Sequence, residues 1–437
     1  MGRLVRVILG IVLVLVLLVA AAGGLLWWKL GSLKENLRQG LAQSLGADVQ
    51  VDSLDIDPWH SEVHAAGISL TNLRSSAPWE KGGIAQATVR YHLADLFAAS
   101  TPLTVELSSW NVALHSPLRT SETPPDTTDS GNGATPAKPP RFRVTHLVAH
   151  EGTVVVDFSD DRKVTVSGVD FDAAEDGGIW TTQVQAASVQ AGTLAVGASS
   201  VKIRGESDQL TFSDLRMECA PGAITGEGEV STGGTHDAQI SLKAVDVPVT
   251  MLVATAWQTQ LSGLAAVDLK YTGNDQGGTA QGAISVAQAR FSVLPWLGKV
   301  TALVGLQDIS GVELDKATSD FNWKDGTLHL TNLDVRKNDV TRIAGGVDVD
   351  AQGNVDGRLK LGLPSAITAK WPQLQTDVFS TQADDFNWTD VHVTGTPTSL
   401  QEDLTPRLVA AGMNQGSDLI KQAAQGAGNL INNLLGK

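Results

Sequence analysis

The side chains best suited to chemistry in this chain are its nine histidines and its paired acids, and neither set has the spacing of a known site. His60 and His64 lie four apart in His-Ser-Glu-Val-His, without the glutamate placement of a zinc-protease helix. The segment reads instead as the start of a strand, where four residues span about 13 Å, too far to share one metal. His146 and His150 repeat that spacing. Surface histidines are therefore expected rather than metal ligands. Asp348-Val349-Asp350-Ala351-Gln352-Gly353 opens like a calcium loop, but Leu359 stands where the bidentate glutamate belongs, so a hairpin turn is expected. Asp160-Asp161 and Asp384-Asp385 fit solvated loops, with weak calcium binding as the alternative. No Gly-x-Ser-x-Gly elbow occurs, and Gly131-Asn132-Gly133 has neither the lysine nor the preceding strand of a phosphate loop. Cys219 has no thiol neighbour and is expected to be a small buried apolar residue. No catalytic residue, metal or cofactor is expected.

A chain without an active site acts through its surfaces, and composition narrows which surfaces. Charged residues are 18% of the 437 and hydrophobic residues 42%, with 44 glycines, which excludes a disordered chain and a coiled coil. The net charge of −15 argues against a nucleic-acid partner.

The first thirty residues point to a membrane. Val7 to Trp28 carries no charge and would span about 33 Å as a helix, enough for a bilayer core of about 30 Å. Arg3 and Arg6 before it, and Trp27, Trp28 and Lys29 at its end, are candidate interface anchors. The positive leading end places the N-terminus in the cytoplasm and the body outside it. A cleaved signal peptide is the alternative, because Ala20-Ala21-Ala22 precedes Gly23.

Beyond the anchor, Leu33, Leu37, Leu41 and Leu45 mark a short amphipathic helix stopped by Gly46. The text then alternates as strands do, clearly at Val49–Ile56, Ile84–Tyr91, Leu103–Leu114, Thr153–Phe158, Leu210–Met217 and Leu328–Val335. Turn signals include Asp176-Gly177-Gly178, Gly233-Gly234, Gly277-Gly278, Asp325-Gly326 and Gln352-Gly353-Asn354. Helices are expected at Pro248–Gln258, at Pro295–Leu306, from Thr405-Pro406 onward, and at Ser417–Leu435, which is strongly amphipathic. The resulting plan is an anchor (7–28), a membrane-proximal β region (31–118), a proline-rich linker (119–140), a long β-rich region (141–402) and C-terminal helices (403–437). One phrase recurs in the strands: apolar-x-apolar-x-x-apolar-x-apolar, strictly at Val49–Ile56, Val164–Phe171, Leu210–Met217 and Leu328–Val335. The slip after its second apolar residue suits a bulge that returns the strand to the same face. The fold class is mainly β: an extended, mostly antiparallel sheet with short helices, against the alternative of two sandwiches flanking the linker.

Four stretches of the C-terminal half are distinctive: Ala289-Arg290-Phe291 through Leu294-Pro295-Trp296-Leu297, Asp320-Phe321-Asn322-Trp323-Lys324-Asp325-Gly326-Thr327-Leu328-His329-Leu330, Ile343-Ala344-Gly345-Gly346-Val347-Asp348 and Val391-His392-Val393-Thr394-Gly395-Thr396. Through them the chain resembles the AsmA-like family of bacterial envelope proteins. Leu45-Gly46-Ala47-Asp48-Val49, after one span and a leucine helix, fits its start. Pro397 directly after Gly-Thr and the proline-rich insertion depart from the family pattern. The resemblance implies a bacterial inner-membrane anchor carrying a curved periplasmic sheet, whose apolar side holds phospholipid acyl chains. Phe321, Trp323, Leu328, Leu330, Leu333 and Val335 are then the groove candidates. The same inward aliphatics would equally serve as ordinary core.

Three functions compete at this level. The first is a non-enzymatic envelope protein that binds or bridges membrane lipids for outer-membrane biogenesis, with other envelope proteins as further partners. The second is a scaffold assisting outer-membrane protein assembly through sheet edges or the C-terminal helix. The third is a hydrolase whose site is scattered beyond motif recognition.

Overall fold

The computed structural model describes residues 48–57, 60–71, 79–92, 101–116, 142–158, 163–192, 194–253, 255–291, 314–338, 340–396 and 399–411. They form 22 strands of an open, mostly antiparallel sheet, with few and short helices. No helix among them is long and apolar enough to cross a membrane. The expected span at 7–28, the helices at 33–45, 295–306 and 417–435, and the whole 119–140 segment lie outside the described residues.

Two compact units divide the chain, one of Met1–Glu218 with Gly226–Ala238, the other of Cys219–Thr225 with Gln239–Lys437. Strands of the first are β1 (Asp48–Asp57), β2 (Glu62–Thr71), β3 (Trp79–Tyr91), β4 (Thr101–Ser116), β5 (Phe142–Phe158), β6 (Lys163–Asp176), β7 (Ile179–Ala186), β8 (Ser188–Ala191), β9 (Leu194–Val196), β10 (Ser199–Glu206) and β11 (Gln209–Cys219). β12 (Gly222–Ser231) is divided between the units. The second unit continues with β13 (Ala238–Pro248), β14 (Leu261–Asn274), β15 (Gly277–Phe291), β16 (Lys316–Lys324), β17 (Thr327–Lys337), β18 (Thr341–Val349), β19 (Val355–Pro364), β20 (Thr381–Ala383), β21 (Phe386–Thr396) and β22 (Ser399–Glu402). Its helices are α1 (Val249–Leu252), α2 (Thr255–Gln258), α3 (Ser365–Thr368), α4 (Pro372–Asp377) and α5 (Leu404–Ala410).

All six strands expected from alternation are present. In the first unit β1 to β4 form a meander, and β4 then pairs with β5 in parallel, from Thr101↔Phe142 to Ser116↔Phe158. The strands on either side of the proline-rich segment are thus neighbours in one ladder, and two closed sandwiches flanking that segment do not describe the chain. Tight turns follow the glycine signals: Gly177 and Gly178 have φ +58° and +92°, and Asp325-Gly326 has +51° and +83°, a hairpin geometry that glycine and aspartate tolerate. Gly277-Gly278 departs from expectation. The turn falls at Asp275-Gln276, and the glycines open β15, where the Tyr271 ring takes the space a Cβ on Gly273 or Gly278 would need.

The recurring phrase does produce bulges. Its fifth residue is left-handed at Gly168 (φ +62°), Asp214 (+53°) and Asn332 (+52°). Across Asn332 the register moves from Leu330↔Val347 to Leu333↔Gly345, three residues against two, so Leu330 and Leu333 face the same side. The copy in β1 works differently. Val51, Ile68 and Ile84 are in register, as are Leu54, Ala65 and Ala87, so three strands change face together and only Gly67 on β2 is left-handed.

Each unit has its own core. In the first, Leu103, Val105, Leu107, Val144, Leu147 and Ala149 pack with Val63, Ile68, Leu70 and Val89. In the second, Leu359, Leu361 and Leu363 of β19 pack with Leu374 of α4, Phe379, and Leu404 and Leu408 of α5. The helix expected at 248–258 is broken into α1 and α2, because Val253 is extended (φ −109°, ψ 154°). α3 and α4 were not expected; their sequence signal was Pro364 before the one and Pro372 at the first helical position of the other.

Candidate functional site: the apolar face beyond the bulges

The bulges divide the apolar face of the second unit into a packed part and an open part. On one side Ala289, Ala317, Val335 and Ile343 are buried in the core. On the other, two rows run across the ladder in register. Leu269, Gly282, Phe321, Leu330, Val347 and Gly357 form one; Tyr271, Ala280, Trp323, Leu328, Val349 and Val355 form the next. Cross-strand partners share a face, so each row is a continuous apolar track. Five strand spacings of about 4.8 Å give each track roughly 24 Å, longer than the ~15 Å half-thickness of a bilayer core.

These tracks are not a core. Leu269, Tyr271, Phe321, Leu328, Leu330, Val347 and Val349 are half-buried, and Trp323 is 38% exposed. Toward β19 the tracks join the core: Val355 and Gly357 are buried, and Val347, like Leu333, packs against it. No charged residue stands in either row. Tyr271 brings a hydroxyl to the β14 end of the second row, and Ser319 is buried with its one hydroxyl proton shared between the carbonyls of Thr331 and Asp320, each 2.9 Å away. Small residues keep the surface low: the Phe321 ring lies over Gly282, where a Cβ would come within 3.0 Å of Phe321 Cζ. Such a face offers dispersion and water exclusion but few hydrogen bonds, and each half-covered large side chain would contribute about 1 kcal/mol on full burial.

All six groove candidates are on one face of β16 and β17, but the Asn332 bulge separates them. Phe321, Trp323, Leu328 and Leu330 belong to the open tracks; Leu333 packs against the core and Val335 lies inside it. Candidates that the sequence reading did not single out occur in the first unit, where Val184, Val201, Ile203 and Phe212 are half-buried on facing positions of β7, β10 and β11. The phrase at Leu210–Met217 was their signal. The candidate anchors Arg3, Arg6, Trp27, Trp28 and Lys29 lie outside the described residues.

The opposite face is charged. Asp320, His329, Asp348 and Asp356 alternate with the apolar tracks and are exposed. Its histidines pair with carboxylates: His329 Nδ1 with Asp348 at 2.7 Å and His392 Nε2 with Asp356 at 2.8 Å. The first unit has a similar pair of its own, His146 Nε2 with Asp172 at 2.7 Å. His64 is exposed on β2, and His146 and His150 lie on β5. Asp350 does sit in a hairpin turn. Its carboxylate accepts from the Asn354 side chain and from the Asn354 and Gln352 amides, and these hydrogen bonds hold it below its ordinary range. Among the described residues no group of three or more His, Cys, Asp or Glu could hold a metal ion. Cys219 is fully buried, and burial pushes its thiol up.

In comparisons with known proteins, no family model matches the chain and no curated protein matches it.

Proposed function

We propose that this chain is a non-enzymatic lipid-binding protein of the AsmA-like kind, whose open apolar tracks hold the acyl chains of membrane phospholipids. In this reading residues 7–28 anchor it in a bacterial inner membrane, N-terminus in the cytoplasm, and the sheet stands in the periplasm and serves lipid supply to the outer membrane. The observation that carries the reading is the pair of uncharged, half-exposed rows across six strands of the second unit. Contiguous apolar rows left partly exposed on a surface mark a ligand or partner site more often than chance exposure. Apart from the Tyr271 hydroxyl at one end, the rows lack the polar groups that would orient a small metabolite or a peptide, which favours an acyl chain. The resemblance at Phe321–Leu330 supports the same reading.

The test is lipid recovery. The full chain, extracted without detergent and subjected to solvent extraction and mass spectrometry, should yield bound lipid. Introducing charge on the tracks with Phe321→Asp and Leu330→Asp should lower the yield at unchanged folding. Equal lipid in variant and parent would assign the lipid to the anchor and remove the main support for the reading.

A further inference from the structure

The charged face carries an arrangement that acyl-chain binding does not use. Asp334 of β17 accepts hydrogen bonds from Lys316 Nζ (2.7 Å), Arg336 Nη2 (2.9 Å) and Arg342 Nε (3.0 Å). One carboxylate thus gathers three permanent cations from three neighbouring strands. The Asp334 side chain is only 15% exposed, whereas Lys316 and Arg336 are 41% and 36% exposed. A second carboxylate, Asp384, lies at the limit of an ion pair, 4.0 Å from Arg342 Nη1. Arg336 Nε is buried with no acceptor. By contrast, Arg90 meets two acids, Glu62 and Glu106, and Lys202 meets one, Asp214. In a chain of net charge −15, a local surplus of cations is against the general trend.

A part-buried carboxylate needs its charge offset, but one or two donors suffice for that. The third cation leaves the cluster positive, and the shared hub holds the three groups together without an ordering cost at the moment of binding. We propose that Lys316, Arg336 and Arg342 form a site for a phosphate-type tetrahedral oxyanion, with Asp334 as the positioning residue. Asp334 alternates with the core residues Leu333 and Val335, so the site is on the side of the sheet away from the apolar tracks and is independent of them. Guanidinium edges suit a phosphate's paired oxygens, and the lysine supplies a point charge. Trp388 bounds the site, its ring centroid 5.7 Å from Arg342 Cζ. Free phosphate and a phosphomonoester headgroup present the same chemistry here.

Calorimetric titration of the full chain at fixed ionic strength tests this, with inorganic phosphate in one arm and soluble dihexanoyl phosphatidate in the other. Dihexanoyl phosphatidylcholine, which lacks the monoester, is the control. Binding of phosphate identifies a free anion as sufficient; binding of phosphatidate alone identifies the headgroup as the source. In either case Lys316→Gln with Arg336→Gln should weaken it at least tenfold. Lys316→Gln alone, which leaves Asp334 two partners and should fold normally, should weaken it about threefold. No binding in either arm, binding equal to that of the phosphatidylcholine control, or binding unchanged by both variants would overturn the proposal.

Discussion

Gln288 and Gly263 meet across the β14–β15 ladder as a bulge and the gap that receives it. Gln288 has φ +53°, and a Cβ on Gly263 (φ +134°) would stand 2.7 Å from the Ala287 carbonyl oxygen. The register shift between Ser262 and Leu264 is the trace of that fit. A side chain on Gly263 therefore faces both a backbone conformation reserved for glycine and a backbone atom that cannot step aside. Gly263→Ala should cost about 2–3 kcal/mol in denaturant unfolding, whereas Gln288→Gly should stay within about 1 kcal/mol of the parent.

A second close fit lies in the first unit. The Trp110 ring covers Gly152 and meets Phe171 edge-on at 5.6 Å; a Cβ on Gly152 would lie 2.1 Å from Trp110 Cε2. Gly152→Ala should destabilise by about 1–3 kcal/mol through overpacking. Adding Trp110→Leu should recover part of that loss, which a double-mutant cycle would read as a favourable coupling.

The outer edge of β21 is closed by side chains. β20 pairs with it at Phe386–Trp388 and β22 at Val393–Thr396. Between them Asp403 accepts the His392 amide at 2.9 Å, and Arg407 donates to the Asp390 carbonyl and the Thr389 hydroxyl. This blunts a template for strand addition and disfavours scaffolding through this edge. Asp403→Ala with Arg407→Ala should increase concentration-dependent self-association in sedimentation, while the single conservative change Arg407→Lys should do so less.

Burial alone would raise the Asp334 carboxyl, but hydrogen bonds from Lys316, Arg342 and Arg336 outweigh it and hold it at about 2. A carboxylate depressed in the folded state contributes stability that is present above its unfolded value, near 3.8, and is lost as pH falls toward 2. Unfolding free energies should therefore fall by about 2 kcal/mol more between pH 4 and pH 2 in the parent than in Asp334→Asn. Equal slopes would mean that the three cations do not act on this group.

Much of the sheet was legible because alternation and turn chemistry are local. The bulges at Gly168, Asp214 and Asn332 were legible too, since a three-residue gap between apolar positions leaves a strand few ways to keep one face. The parallel β4–β5 pair was not, because the residues of Leu103–Leu114 and Thr153–Phe158 alternate alike whichever way their neighbour runs. Nor could the phrase at Leu328–Val335 reveal that Leu330 stays half-open while Val335 is enclosed. Val335 belongs to a core that Leu374, Leu404 and Leu408 complete from elements far along the chain, and Leu330 does not.

The most direct measurement is residue-by-residue photocrosslinking to lipid in intact membranes. A photoreactive amino acid would be placed in turn at Phe321, Trp323, Leu328 and Leu330, and at their outward neighbours Asp320, Asn322 and His329. Lipid binding on the apolar tracks predicts phospholipid adducts at the first four positions and none at the other three, a two-residue alternation that mere closeness to a membrane would not produce. Adducts at both sets alike, or at neither, would contradict it.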